Sequence, residues 1–570
     1  MLQLLRTAVG IAEGRAPDRA DPMTSPILRV QTSLQIGAEL PRPESPHVIR
    51  GAVTDLADTD AVLSRATILS DAGRLQEAYD LADKAVDAQA TTDGRVTLMF
   101  AMLAFATIGG RVDDAHAAIA GIRRHELPGD SAEWLDEVDL WLAAMTGDPP
   151  RGGRLSELAG ADTAPPGITG NRTARAIGMT VSGDCVGALD LLDTVIDSSS
   201  SHNRWLGAES PEAAAWPLWV TRFAYGPAGT LTRAPVDTAR DNRLVNRWLG
   251  PFRQGVLAEA HMAGGELDIA SMLFDDALAE ARRIGSGWMS TAAANRALID
   301  VHRGAARDAL ERIELWRKTG LPDRFGFRDF DVAATEAHLA LRNITKVRKD
   351  ARTLWARALA DQQVPWLLYR APTIARQALI AEDHALLARI ARDVEQLWSE
   401  ADAPALHGYA LLVQAMAGRD LEAAEQAVTS LQSVGDQIAE LAVLEEIACI
   451  AADRGDDAAT RGYAHTATHL AERIGSTATM RRLRERLRLT GLVLGWAGTR
   501  GDYGSGWESL TRAESRVSKL VARGLTGPQI ADRLGISPRT VQTHVSHALR
   551  KLGLSTRAEL AAFISRTGNT

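Results

Sequence analysis

Apolar positions along the chain recur with helical period, and the helical stretches are separated by short breaks at which glycine returns. Gly73-Arg74-Leu75 with Ala78, Gly110-Arg111-Val112 with Ala115, Gly147-Asp148, and Gly183-Asp184-Cys185 with Ala188 stand 37, 37 and 36 residues apart. Further on, Gly265-Glu266-Leu267 with Ala270 precedes Gly304-Ala305 with Ala309 by 39 residues. Gly418-Arg419-Asp420-Leu421 with Ala424 precedes Gly455-Asp456-Asp457 with Ala459 by 37. Each break closes one apolar helix and opens the next, as in 61–72 followed by 76–86. A helical hairpin of roughly 34–40 residues cannot bury its apolar face alone, so hairpins repeating at that interval must stack. Sustained period-2 alternation is absent, which argues against strands. The pattern predicts an all-α chain with a helical-repeat body over roughly residues 51–490. An irregular bundle joined by ordinary hairpin turns is the alternative.

The repeat is similar to tetratricopeptide repeats, which implies an α-solenoid. Its phase is lost between about 195 and 250, where Trp205, Trp216, Pro217, Trp219, Phe223, Tyr225 and Trp248 gather near the serine run 198–201. Tryptophans bury large areas at small entropic cost and are enriched at recognition surfaces. Packing of an irregular repeat is the more economical reading here. Residues 1–50 read as an N-terminal extension, partly disordered. Residues 491–508, with Gly495, Gly498, Gly501, Gly504 and Gly506, read as a flexible tether between the body and the C-terminal segment.

From 509 to 570 the pattern changes to four short helices, each with its own start signal. Thr511 with Glu514, Thr526 with Gln529, and Thr556 with Glu559 fit the capping box. Ser537-Pro538 is an N-cap followed by proline at the first helical position. Leu534-Gly535-Ile536-Ser537 supplies a tight turn between the second and third helices. Val517, Leu520 and Val521 form one apolar stripe, Ile530, Ala531 and Leu534 a second, and Val541, Val545, Leu549 and Leu552 a third. The third helix therefore keeps a free face, which carries Gln542, Thr543, Ser546 and Arg550. A short helix, a turn and a helix with one polar face outward make a helix-turn-helix.

Charge strengthens that reading. The whole chain carries −8, but residues 511–570 hold ten Arg or Lys against Glu514, Asp532 and Glu559, a net of +7. The other residues then carry −15. A basic module on an acidic body is the footprint expected of a DNA-binding tail. With 45% hydrophobic and 24% charged residues, the chain is a folded one of several units. Cys185 and Cys449, far apart, fit neither a disulfide framework nor a zinc site.

The stretch from Leu510 resembles the LuxR-type (GerE) DNA-binding domain. The residues that carry the likeness are Leu510-Thr511, Glu514, Gly524-Leu525-Thr526, Ile530-Ala531, Leu534, Ile536-Ser537, Thr540-Val541, His544-Val545, Leu549-Arg550-Lys551-Leu552 and Arg557-Ala558-Glu559-Leu560. Ala513 departs from a position usually arginine, and Ser518 from one usually apolar, and both fall in the first helix. The resemblance implies that Gln542, Thr543 and Ser546 face bases in a major groove. It implies phosphate contacts from Thr526, Ser537, Arg539, Thr540, Arg550 and Lys551. Leu560, Phe563 and Ile564 of the last helix would pair two domains on half-sites about 10 base pairs apart. His544 is expected to be structural or DNA-proximal. A metal site at His544 and His547 lacks a third ligand, and His465-x-x-x-His469 reads as a solvated face.

Helical repeats feeding such a domain resemble the large MalT-like regulators. Those carry an NTPase module, whereas no Gly-Lys pair occurs anywhere in this chain, so no Walker A loop is expected. The chain reads as a truncated or divergent member without that ATP switch and without a cofactor. It shows neither a nucleophile elbow nor paired metal ligands, so an enzyme is not expected. The expected protein is a sequence-specific transcription regulator whose body receives a protein or small-molecule effector. A helical-repeat scaffold with an accessory DNA-binding module is the alternative. Double-stranded DNA is the expected partner, bound by a homodimer, with RNA polymerase a further candidate. No apolar run reaches the roughly 18 residues of a membrane span, and the first residues lack the basic lead-in of a signal peptide. The cytoplasm is the expected compartment.

Overall fold

The structure, a computed structural model, describes residues 55–127, 135, 138, 139, 142, 169–197, 215–234, 246–287, 289–319, 328–489, 510, 512–534, 536–552, 554 and 556–567. The proposed extension 1–50 and tether 491–508 lie outside them, as do Gly147, Trp205, Thr511 and Gly535. Among the described residues there are 25 α-helices and no strand; Asp184 and Asp402 form an isolated parallel bridge. The body begins with α1 (Thr59–Asp71), α2 (Leu75–Val86), α3 (Thr92–Ile108), α4 (Val112–Ile122), α5 (Thr169–Ser182), α6 (Cys185–Asp197), α7 (Ala215–Ala224) and α8 (Gly226–Arg233). It continues through α9 (Asn246–Ala263), α10 (Leu267–Ile284), α11 (Ser290–His302), α12 (Ala306–Arg317), α13 (Asp329–Ala340), α14 (Ile344–Asp361) and α15 (Val364–Ile380). Its last helices are α16 (His384–Glu400), α17 (His407–Gly418), α18 (Leu421–Val434), α19 (Gln437–Asp453), α20 (Asp457–Ile474) and α21 (Thr477–Leu489).

The breaks in the hydrophobic pattern are the turns between these helices. Gly73, Gly110, Gly183, Gly265, Gly304 and Gly455 all take positive φ, the region that side chains with a Cβ avoid. Between Gly304 and Gly455 the same interval continues, but the left-handed residues are Arg342 (φ 60°), Glu382 (φ 54°) and Arg419 (φ 52°). The repeat is thus present where the glycine signal fails. At Gly418 the left-handed residue is its neighbour Arg419.

Helices alternate between two environments. In α11 every residue from Ala292 to Val301 is buried, and in α19 every residue from Val443 to Ala451. By contrast α12 buries Ala309, Ile313 and Trp316, and α18 buries Ala424, Ala427 and Leu431, one stripe each. A helix buried all round is sandwiched, and one with a single stripe faces solvent on its other side. From α9 to α21 each odd-numbered helix touches the next odd-numbered one, which makes these the inner layer.

Helices also meet others further along the chain. Helix α5 touches α15, α8 touches α18, α9 touches α19 and α11 touches α21, a regular offset of ten helices. Where the turns of the first hairpins meet the turn after α10, the backbones come close enough that only glycine fits. A Cβ on Gly73 would lie 2.2 Å from the carbonyl oxygen of Arg283, and one on Gly287 would lie 2.1 Å from that of Gly109. The N–H of Gly287 donates to the carbonyl of Ile108 at 3.3 Å. Two large apolar cores run through the described residues of the body, one from Leu63 to Ile447 and the other from Ala258 to Leu487, with two smaller clusters beside them.

In the segment where the repeat phase is lost, Trp216, Trp219 and Phe223 are buried. Trp216 packs edge-on against Trp219 and tilted against Phe252. These aromatics are core, while Tyr225 is half exposed. His465 and His469 are exposed, and both cysteines are free and buried. No helix among the described residues is long and apolar enough to cross a membrane.

The last four helices are α22 (Arg512–Ala522), α23 (Gly527–Leu534), α24 (Pro538–Leu552) and α25 (Arg557–Thr567). They enclose a separate small core around Val517, Ile530, Val541, Leu560 and Ile564. The module rests against the body at α10, with Met272 on the rim of that core and Arg516 3.6 Å from Glu266.

Candidate nucleic-acid interface

Three of the four start signals in the sequence are caps in the structure, and the first, at Thr511, falls outside the described residues. The N–H of Thr526 donates to Gln529 Oε1 at 2.9 Å, and the N–H of Gln529 reaches back to Thr526 Oγ1 at 3.5 Å. Thr556 and Glu559 make the same reciprocal pair at 3.3 and 3.2 Å. Ser537 Oγ accepts from the N–H of Thr540 at 3.1 Å and lies 2.8 Å from its hydroxyl. These bonds satisfy donors that a helix start leaves open, and they fix where α23 and α24 begin.

With its start fixed, α24 turns Val541, Val545 and Ala548 into the module core. Gln542, Thr543 and Ser546 are thereby left on the opposite side, all exposed, with Arg539 exposed one turn earlier. The hydroxyl of Thr543 donates to the carbonyl of Arg539 at 3.1 Å, so its methyl is the outward end. Thr526 and Ser537 are exposed at the two helix starts and Thr540 is half buried. Arg550 and Lys551 belong to the last turns of α24, but their side chains lie outside the described residues. Contact with α10 leaves this outward face uncovered.

Residues 508–564 match the family described as bacterial regulatory proteins, luxR family. The C-terminal module is a LuxR-family domain. Over 72 residues the chain is 47% identical to a protein of Mycobacterium tuberculosis (strain CDC 1551 / Oshkosh) named an HTH-type transcriptional regulator, a stretch that is 13% of this chain and 8% of that protein. It is 43% identical over 54 residues to the transcriptional regulatory protein UhpA of Salmonella typhimurium, 10% of this chain and 28% of UhpA. It is 44% identical over 55 residues to the nitrate/nitrite response regulator protein NarL of Escherichia coli (strain K12), 10% of this chain and 26% of NarL. The chain therefore spans only a small fraction of the length of these relatives.

Within the LuxR-family module, the three residues expected to pair two domains differ in exposure. Leu560 and Ile564 have no exposed surface and belong to the module's own core. A core this small needs the apolar face of its last helix. Phe563 keeps a partly exposed ring. His544 is also interior, 3% exposed, on the inward side of α24. His547 Nδ1 lies 3.8 Å from Glu514 Oε1, and Glu514 is itself buried.

Two features of this LuxR-family module escaped the sequence. Arg557 Nη2 donates to the carbonyl of Leu525 at 2.6 Å, tying α25 to the turn between α22 and α23. Arg557 stands in the family motif, yet nothing in its spacing signals a clamp. Ser518 is fully buried and its hydroxyl has no hydrogen-bond partner, where the family usually has an apolar side chain.

Proposed function

We propose that the protein is a sequence-specific, DNA-binding transcription regulator of the cytoplasm whose helix α24 enters the major groove. The observation that carries this reading is the exposed row Gln542, Thr543 and Ser546 on a helix whose other side is core. A major groove admits one α-helix, and a Gln amide can pair with adenine N6 and N7 while a Thr methyl meets a thymine methyl. Phosphate contacts come from Arg539, Arg550 and Lys551, with Thr526, Ser537 and Thr540 at the two helix starts. A homodimer on DNA forms through the surface around Phe563. The body is a tetratricopeptide-like solenoid that receives the signal.

Selection of duplexes from a random pool by the purified full chain tests this. An enriched motif is expected. Gln542→Ala should relax preference at one base position, costing about 1–3 kcal/mol there. Arg550→Ala should weaken binding to every duplex alike and shallow the salt slope by roughly one. Equal losses on all sequences for Gln542→Ala would remove that residue from base reading, and a pool without enrichment would remove the module from sequence recognition altogether.

A further inference from the structure

Burying charge requires partners, and the inner layer of the body buries many charges. Arg370 donates to Asp329 at 2.8 Å and to Asn295 at 2.6 Å, and Asn295 in turn donates to Glu259 at 2.6 Å. Arg376 Nη2 and Gln377 Nε2 both donate to Glu336, at 2.9 and 2.8 Å. Arg482 forks onto Glu445, and Arg486 bridges Glu445 and Glu446. The network follows the odd-numbered helices and opens onto one cleft.

That cleft lies between α9, α11, α13, α15, α17, α19 and α21 and holds about 80 Å3 behind an open mouth. That is room for several waters, or for the head of a small molecule whose body lies in the mouth. Three guanidiniums line it, those of Arg370, Arg376 and Arg482. Its two carboxylates are already engaged. Both oxygens of Glu336 accept from Arg376 and Gln377, while Asp436 accepts from the N–H of Ala439 and the hydroxyl of Tyr409. Arg376, 7% exposed, keeps a buried Nε with no acceptor in the protein. Buried donors are rarely left this way. Met262, Leu298, Val332, Leu412, Ile438 and Leu441 form the apolar part of the wall, and Tyr369, Thr373 and Thr479 add hydroxyls. The wall therefore sets one donor without an acceptor, Arg376 Nε, beside an apolar surface.

We propose that this cleft is the effector site of the regulator and that it takes a small organic carboxylate with an apolar body. The proposal rests on the reading that the body receives a signal. The carboxylate accepts from Arg376 Nε, and the apolar part lies against Leu298, Val332 and Leu412. The field in the cleft agrees. Burial pulls His302 down to about 4, and Arg376, Arg482 and Arg370 add to the fall against the opposing pull of Glu336. His302 is thus neutral at pH 7 and leaves the cationic surface to the arginines.

Calorimetric titration of the full chain with octanoate and with 3-phenylpropionate tests the proposal, with octan-1-ol and inorganic phosphate as controls. At least one acid should bind saturably, and the alcohol and phosphate at least tenfold more weakly. Arg376→Lys keeps the charge and loses the Nε donor. Loss of one charge-assisted hydrogen bond should weaken the acid by roughly tenfold or more. Thr373→Trp, at a cleft position outside the ion network, should weaken it by filling space, and it decides the matter if Arg376→Lys does not fold. Absence of binding by both acids, equal binding of alcohol or phosphate, or unchanged affinity in the variants overturns the proposal. Binding of the selected duplex by the same preparation separates the two readings. Acids that fail while the duplex still binds remove only the cleft, whereas a duplex that fails removes the regulator.

Discussion

Ser518 shows how one atom can matter in a core of a dozen side chains. Its hydroxyl is fully buried beside Val517 and Val521 without a partner. A buried hydroxyl that has left water without a new hydrogen bond costs about 1–3 kcal/mol. Ser518→Ala removes that penalty and opens only a small void. Amide exchange of residues 512–564 in the full chain should slow by the equivalent of about 1 kcal/mol. Unchanged or faster exchange would show that the hydroxyl is satisfied. Neighbouring Glu514 and His544 are buried as well, so this LuxR-family module has an unusually polar interior for its size. None of the three could have been placed inside from pattern alone, because polar residues on a short helix normally mark its solvent side.

At the level of the helix and its turn, legibility in the sequence depended on glycine. Gly73, Gly110, Gly183, Gly265, Gly304 and Gly455 announced their turns because a left-handed residue without a Cβ is the low-energy choice. Arg342, Glu382 and Arg419 make the same turns and gave no signal. The stripe Val541, Val545 and Leu549 likewise announced which side of α24 is inside, and so which side is free. In α25 the adjacent apolar residues Leu560, Ala561, Phe563 and Ile564 did not separate inner from outer faces, and the structure turns Leu560 and Ile564 inward. The buried pair Glu445-Glu446 in a run of apolar residues was the one visible hint of the ion network, and it passes for a solvated face until Arg482 and Arg486 are seen opposite. Glu382 offers a test of the turn argument, being exposed and left-handed. A residue with a Cβ in that conformation costs roughly 1–2 kcal/mol, part of which Gly loses again to unfolded-state entropy. Glu382→Gly should raise the denaturant midpoint of the body modestly; a lower midpoint would mean that the side chain contributes more than the strain costs.

For the molecule as a whole, the contacts between helices far apart in the chain form a seam that distinguishes this body from a chain of repeats that touch only their neighbours. In a linear array, damage at one repeat stays local. Here Gly287 joins hairpins far apart in sequence, and the atom its Cβ would strike is backbone, which cannot rotate away. Gly287→Ala should therefore lower the thermal midpoint of the whole body, whereas Gly455→Ala, strained in φ but with open space around it, should have a smaller effect. Equal effects would show that the seam adds nothing to stability. The module touches the body at Glu266 and Met272, with Gln542, Thr543 and Ser546 exposed.

The seam also sets a schedule for synthesis. Gly73 meets Arg283, Gly110 meets Gly287, Gly183 meets Ala401 and Gly265 meets Ile474, so these early hairpins find their lateral partners roughly 180–220 residues later. At about 5–20 residues per second a ribosome needs on the order of 10–40 s to deliver it. For that interval the nascent chain holds an unmatched apolar edge at the tunnel exit, a natural landing place for chaperones.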